Sequence, residues 1–262
     1  MKKHGFNVIG VVIAVAVVAF IGLATWLVID GINKSTNFDE YNFNAVISGD
    51  EHNGNISDHL KKDQDGTYTG EPIYIFEYAD FQCSACAALY SRVNQAIDEL
   101  DGKLIVVYRN YLLDYHQNAT AAASAAEAAG LQGYWEEYSK LLFNNQSEWA
   151  YKTGSARTAL FEKYFLEATG GQGDIEKFRE DISSSRVSKK ISFDMGIGKR
   201  INVGGTPAFY IDGQFIDWAD SDKNGTGSVE INGETISWEG AKTNSEFVEL
   251  IKTIVNTKLG QK

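Results

Sequence analysis

Ile73-Tyr74-Ile75-Phe76-Glu77-Tyr78, then Ala79-Asp80-Phe81-Gln82, then Cys83-Ser84-Ala85-Cys86: this stretch decides the fold. Residues 73–78 are β-branched or aromatic apart from Glu77, and Pro72 before them suits the start of a strand. After a turn, Ala87, Leu89, Tyr90, Val93, Ala96, Ile97 and Leu100 recur at three- and four-residue steps. That is the period of a helix with one apolar face. Asp101-Gly102 stops it, and Leu104-Ile105-Val106-Val107-Tyr108 reads as a second strand. Strand, helix, strand is a βαβ unit, whose right-handed crossover makes the two strands parallel.

Cys83 and Cys86 are the only cysteines in 262 residues. A pair at this spacing is a redox dithiol, half of a metal site or a structural disulfide. A zinc site needs about four ligands. No second pair exists, and His4, His52, His59 and His116 are not at ligand spacing from this one, so no metal is predicted. A disulfide closing so short a loop constrains the unfolded chain little. Redox chemistry is the preferred reading. Cys83 stands where the turn gives way to the helix, so its sulfur faces free N–H groups that favour thiolate. Cys86, one turn in, is less exposed. Cys83 is therefore predicted to be the attacked or attacking sulfur, and Cys86 to resolve the mixed disulfide.

The N-terminus points to an oxidising compartment. Lys2 and Lys3 precede an uncharged apolar run from Phe6 to Ile29, and Asp30 follows. The run exceeds the about 20 residues that cross a bilayer core, and the lysines place the N-terminus inside. A cleaved signal peptide has a shorter apolar core and a small-residue cleavage site. Residues 1–5 are thus predicted as a cytoplasmic tail, 6–29 as one N-terminal transmembrane signal anchor, and 30–66 as a spacer with one short packed element. Residues 67–262 form the exported domain, where disulfides persist. The net charge of −11 argues against nucleic acid and anionic lipid as partners.

Beyond the second strand the character changes. Residues 117–201 read as helices throughout: an alanine-rich one from Asn118 to Ala129, then Tyr134 to Asn144, Ser155 to Ala168, and Asp174 to Ile201 with a break at Ser183-Ser184-Ser185. Strands return at Ala208-Phe209-Tyr210-Ile211 and Gln214-Phe215-Ile216 around Asp212-Gly213. Residues 217–240 read as an inserted hairpin closed by Asn232-Gly233, and Ser245 to Thr257 as the last helix. The fold class is α/β, one domain with an all-helical insertion. The chain has two prolines, and one of them, Pro207, follows Gly204-Gly205-Thr206 directly before a strand. A cis bond there would expose the backbone of Thr206 to an extended segment beside the sulfur. Asp220, Asp222, Asn224 and Gly225 open like a calcium loop, but no helices flank them, and a polar turn is the preferred reading.

Phe81-Gln82-Cys83-Ser84-Ala85-Cys86 after a strand, with Gly205-Thr206-Pro207-Ala208-Phe209 far downstream, resembles the thioredoxin superfamily. The helical block, Tyr108-Arg109-Asn110-Tyr111-Leu112-Leu113 and Ala125-Ala126-Glu127-Ala128-Ala129 resemble its DsbA-like branch. The resemblance covers roughly residues 70–216 and 244–258. It implies a thioredoxin fold, a Cys83 nucleophile with Cys86 as its partner, a cis-proline at Pro207, and Thr206 as substrate-pairing backbone. It also implies a buried acid at Glu77 that relays the proton of Cys86; the competing reading takes Glu77 to a strand end in solvent. No cofactor is called for. Reduced exported proteins are the implied clients and a membrane quinone-linked thiol oxidase the implied reoxidant. One departure stands out. The family places proline after the first cysteine, and its strongly oxidising members often place histidine before the second. Here Ser84 and Ala85 modulate the site instead, with Ser84 able to donate to a Cys83 thiolate. The preferred reading is an extracytoplasmic, membrane-anchored thiol–disulfide oxidoreductase that introduces disulfides into exported proteins through a Cys83 mixed disulfide; a reductase or isomerase using the same site and a non-catalytic binding module for exported proteins are the alternatives.

Overall fold

The motif-bearing strand lies in the middle of a mixed sheet. The computed structural model describes residues 59–61, 70, 72–218, 226–240 and 242–261. Strands β1 (His59–Lys61), β2 (Ile73–Ala79), β3 (Leu104–Asn110), β4 (Ala208–Ile211) and β5 (Gln214–Phe215) form one sheet in the order β1-β3-β2-β4-β5. β2 and β3 run parallel, from Ile73 opposite Leu104 to Ala79 opposite Asn110. α1 (Ser84–Glu99) is the crossover between them, as the βαβ pattern predicts. β4 pairs antiparallel with β2, and β1 antiparallel with β3. β1 lies within the span read as a spacer, so the sheet begins before residue 67. The anchor at 6–29 and the calcium-like turn at 220–225 lie outside the described residues. Among the described residues no helix is long and apolar enough to cross a membrane.

All of β3 and most of β2 are buried, as strands covered on both faces must be. One apolar cluster joins Ile75, Leu104, Val106, Phe209 and Ile211 of the sheet to Leu89, Val93, Ala96 and Ile97 of α1. Phe247, Ile251, Ile254 and Val255 of α8 (Asn244–Lys258) complete it. α8 starts on a capping box, with Thr243 and Glu246 satisfying each other's backbone N–H groups.

The insertion consists of α2 (Ala119–Gly130), α3 (Trp135–Asn144), α4 (Gln146–Trp149), α5 (Gly154–Ala168), α6 (Ile175–Ile182) and α7 (Ser185–Arg200). α2 packs against α3, α5, α6 and α7. That central place explains its composition: Ala122, Ala123, Ala125, Ala126, Ala128 and Ala129 are all fully buried, and small side chains let neighbours approach from several sides. Trp135, Tyr138, Leu142, Trp149, Phe161, Phe165 and Phe178 fill the space around it. The predicted break falls where Ser184 caps α7, its hydroxyl accepting the N–H of Val187. α4 is a single turn that the apolar spacing does not announce.

Two contacts decide where the chain approaches Pro207. Buried Asp194 of α7 accepts from Lys190 Nζ at 2.7 Å, Arg109 Nη1 at 3.3 Å and the Asn110 N–H at 3.0 Å, tying α7 to β3 through paired charges. Gly198 of α7 lies against Tyr111, where a β-carbon would meet the ring at 2.5 Å. The Tyr111 hydroxyl donates to the Val203 carbonyl at 2.7 Å, just before Gly204. The inserted hairpin is also present, as β6 (Thr226–Ile231) and β7 (Glu234–Glu239). Asn232 (φ 52°) and Gly233 (φ 80°) make the tight turn between them. The Gln214 side chain both donates to and accepts from the backbone of Glu230, docking β6 beside β5.

Candidate active site

β2 ends at Ala79, and Asp80 turns the chain. Its buried carboxylate accepts the N–H of Gln82 at 2.8 Å, the N–H of Leu113 at 2.9 Å, and faces His116 Nδ1 at 2.9 Å. The Asp80 carbonyl accepts the N–H of Cys83 at 3.0 Å. His116 thus serves this turn. Phe81 stacks on Tyr108 and packs on Phe143 and Trp135, which joins the turn to the insertion.

Cys83 is the N-cap of α1. Both cysteines are free thiols. Cys83 keeps 7% exposure and Cys86 none, so only Cys83 offers a sulfur to a partner. The two sulfurs have opposite acidities. The hydrogen bond from Cys86 holds Cys83 down at about 5 against the opposing effect of burial, with further help from Thr206 and the N–H groups of Cys86 and Ala85. Burial pushes Cys86 well up, and the hydrogen bond to Cys83 and the negative charge there add to it. The bond between the two sulfurs is the leading influence on Cys83, and the N–H groups at the start of α1 add to it. Ser84 is not among the groups that lower Cys83: Ser84 and Ala85 are exposed, and the local donors to the thiolate are the Cys86 thiol and the backbone N–H groups of Ala85 and Cys86.

Glu77 is buried at 1% exposure, so the solvent-reaching reading fails. It lies opposite Tyr108 and Phe209 in the sheet, and its charge is among the influences that raise Cys86. The Thr206–Pro207 peptide bond is cis. The Cys83 thiol donates to the Thr206 carbonyl at 3.4 Å across 123 residues of chain. The buried Thr206 hydroxyl has no partner apart from the Cys83 sulfur, whose ionised form it favours. Thr206→Val keeps the shape and removes that donor. The Cys83 pKa, read by ultraviolet thiolate absorbance, is expected to rise by about one unit, the worth of a hydrogen bond to a charge. Beside this loop opens a groove of about 610 Å³ lined by Gly204, Gly205, Thr206, Pro207, Tyr210 and Phe215.

The fold therefore brings Cys83, Cys86, Glu77, Thr206 and Pro207 together. It adds residues that sequence reasoning missed. Gln146 Nε2 donates to the carbonyls of Phe81 at 2.7 Å and Cys83 at 3.0 Å. Gln82 Nε2 donates to the Ala150 carbonyl at 2.8 Å, and its own oxygen accepts the N–H of Asn118 at 2.6 Å. The Asn118 amide binds the carbonyls of Ala150 and Lys152, and Arg157 donates to its oxygen. No local pattern marked them, because their partners are backbone carbonyls far away in sequence.

Comparison with known proteins agrees with this geometry. A thioredoxin family model matches residues 71–230. A protein named "Probable disulfide bond formation protein D" from Bacillus cereus is 22% identical over 223 residues, covering 81% of this chain and 91% of that protein. The Na(+)/H(+) antiporter NhaA 3 of Salinispora tropica is 32% identical over 143 residues, covering 55% of this chain. The chain spans about a fifth of the length of such antiporter relatives. Among solved structures, alpha-DsbA1 of Wolbachia pipientis shares the fold, with a TM-score of 0.53 and 21% identity, covering 81% of this chain and 98% of that one.

Proposed function

We infer that this chain, which belongs to the thioredoxin family and carries the helical insertion of its DsbA-like branch, is an extracytoplasmic, membrane-anchored thiol–disulfide oxidoreductase that introduces disulfides into exported proteins. The observation that carries this reading is the asymmetry of the two sulfurs. A Cys83 held at about 5 is a stabilised thiolate at neutral pH, and whatever stabilises the dithiol form makes the disulfide form oxidising.

The reaction follows from that asymmetry. A client thiolate attacks Cys83 Sγ of the Cys83–Cys86 disulfide, the S–S bond breaks, and Cys86 leaves as a thiolate. Its raised pKa makes it take up a proton, and in this reading Glu77 relays it; the influence of the buried Glu77 charge on Cys86 supports that role. A second client thiolate then attacks the client sulfur of the mixed disulfide. Cys83 leaves readily as the low-pKa thiolate, the client disulfide forms, and two electrons stay on the dithiol. Thr206 and Pro207 offer backbone to the extended client beside the groove. A membrane quinone-linked thiol oxidase takes the electrons on, and the apolar run Phe6–Ile29 keeps the domain at the membrane where such an oxidase works.

The dithiol–disulfide equilibrium against glutathione tests the direction. The expected potential lies well above that of thioredoxin, about −270 mV, on the oxidising side. A value near thioredoxin's would overturn the oxidase reading.

A further inference from the structure

We propose that Gln146 is a positioning residue for the dithiol: it sets the acidity of Cys83 by holding the backbone carbonyls of the turn that carries it. The proposal rests on the thiol–disulfide reading of the site. Gln146 opens α4, and its carboxamide nitrogen donates to both the Phe81 and the Cys83 carbonyls. The brace is returned. Gln82, between those two residues, donates to the carbonyl of Ala150 at the other end of the same one-turn helix. Two glutamines thus cross between the same two segments in opposite directions, and neither segment can shift without breaking bonds from both.

The Cys83 carbonyl gives the brace its chemical effect. It already accepts the N–H of Ala87 at 3.1 Å as the first acceptor of α1. Gln146 engages its second lone pair. A carbonyl oxygen with a free lone pair repels a neighbouring thiolate; one with both lone pairs engaged repels it less. The same bonds hold Cys83 at φ −72°, ψ 121°, the conformation from which its sulfur meets the N–H groups of Ala85 and Cys86. If the turn relaxes, those donors are lost together. Gln146 works through the backbone of Cys83 rather than on the sulfur, which makes it a positioning residue.

A glutamine that only satisfied two half-buried carbonyls would affect stability and nothing else. The test separates the two roles in the full reduced chain. Gln146→Leu removes both donors, and the Cys83 pKa is expected to rise by about one unit, with a tenfold shift of the glutathione equilibrium toward the disulfide. Gln146→Asn is one methylene shorter and reaches one carbonyl, so an intermediate shift is expected. Asn118→Ala removes the side-chain donors to Ala150 and Lys152 while keeping its backbone N–H on Gln82 and both Gln146 bonds; it is expected to lower the melting temperature and leave the titration of Cys83 unchanged. The proposal is overturned if the Gln146 variants melt earlier with no change in titration, or if Asn118→Ala moves the titration as far. Should Gln146→Leu not fold, an unshifted Gln146→Asn overturns it alone. Titration needs no client turnover. A chain that ionises as described but oxidises no client would defeat the functional reading and leave this one standing.

Discussion

Replacing Cys86 with serine is expected to arrest the chain in covalent complexes with exported proteins, visible as high-mass species that a reductant dissolves. Cys83 carries the accessible sulfur and the stabilised charge, so its thiolate still attacks a disulfide in an exported protein, and one sulfur of that protein leaves as a thiolate. The serine hydroxyl can still donate to Cys83. What the variant lacks is the buried thiol one helical turn away that would attack Cys83 Sγ, expel the client thiolate and close the Cys83–Cys86 disulfide. Cys83→Ser is expected to form no complexes and to oxidise a reduced dithiol peptide no faster than the uncatalysed reaction. If Cys83→Ser keeps activity, or Cys86→Ser traps nothing while the unaltered chain oxidises clients, the assigned roles are wrong. A binding module with an inert disulfide would behave the second way and show no catalysis at all.

The second large effect is a break in the pH dependence of the reduction potential near pH 5. Cys83 is depressed from an ordinary 9.0 to about 5, and Cys86 is pushed well above 9.0. The ionised Cys83 therefore stabilises the folded dithiol fully above about pH 9. That contribution declines as pH falls and is gone below about pH 5. Below the break, reduction takes up two protons, and the potential is expected to fall by about 60 mV per pH unit; above it, one proton is taken up and the slope halves to about 30 mV. Alkylation of Cys83 should rise through the same pH. Two ordinary thiols would place the break near their usual values instead, and that result would remove the basis for an oxidising site.

Parts of this arrangement were legible from the chain. The βαβ start could be read because Ile73–Tyr78, Ser84–Leu100 and Leu104–Tyr108 each satisfy one local rule of composition or spacing, and the rules agree. Ser184 and Asn232-Gly233 marked their boundaries for the same reason: a cap or a tight turn is decided within a few residues. β1 escaped because three residues carry no period. α4 escaped because one turn shows no apolar face, and with it went Gln146. Gln82, Asn118 and Gln146 all bind backbone carbonyls far away in sequence. A carbonyl has no residue identity to search for, so such braces are invisible until the helices are packed. The Ser84 expectation failed differently. A hydroxyl next to a thiol looked like its donor, but the cap geometry turns the backbone N–H groups of Ala85 and Cys86 toward the sulfur instead.

The sequence by itself determined that a dithiol would stand at the start of a helix after a buried strand, with a helical block and a lone loop proline elsewhere in the chain. Local forces are enough for that: strand and helix periods, and the free N–H groups of a first turn. Only the tertiary structure decided that Cys86 is sealed while Cys83 is not, that Glu77 faces inward, and that the Thr206 carbonyl reaches Cys83 across 123 residues. Acidity depends on desolvation and on donors within a few ångströms. Those are properties of what packs around a sulfur, and the chain brings them from β2, α4 and the loop before β4 only when it folds.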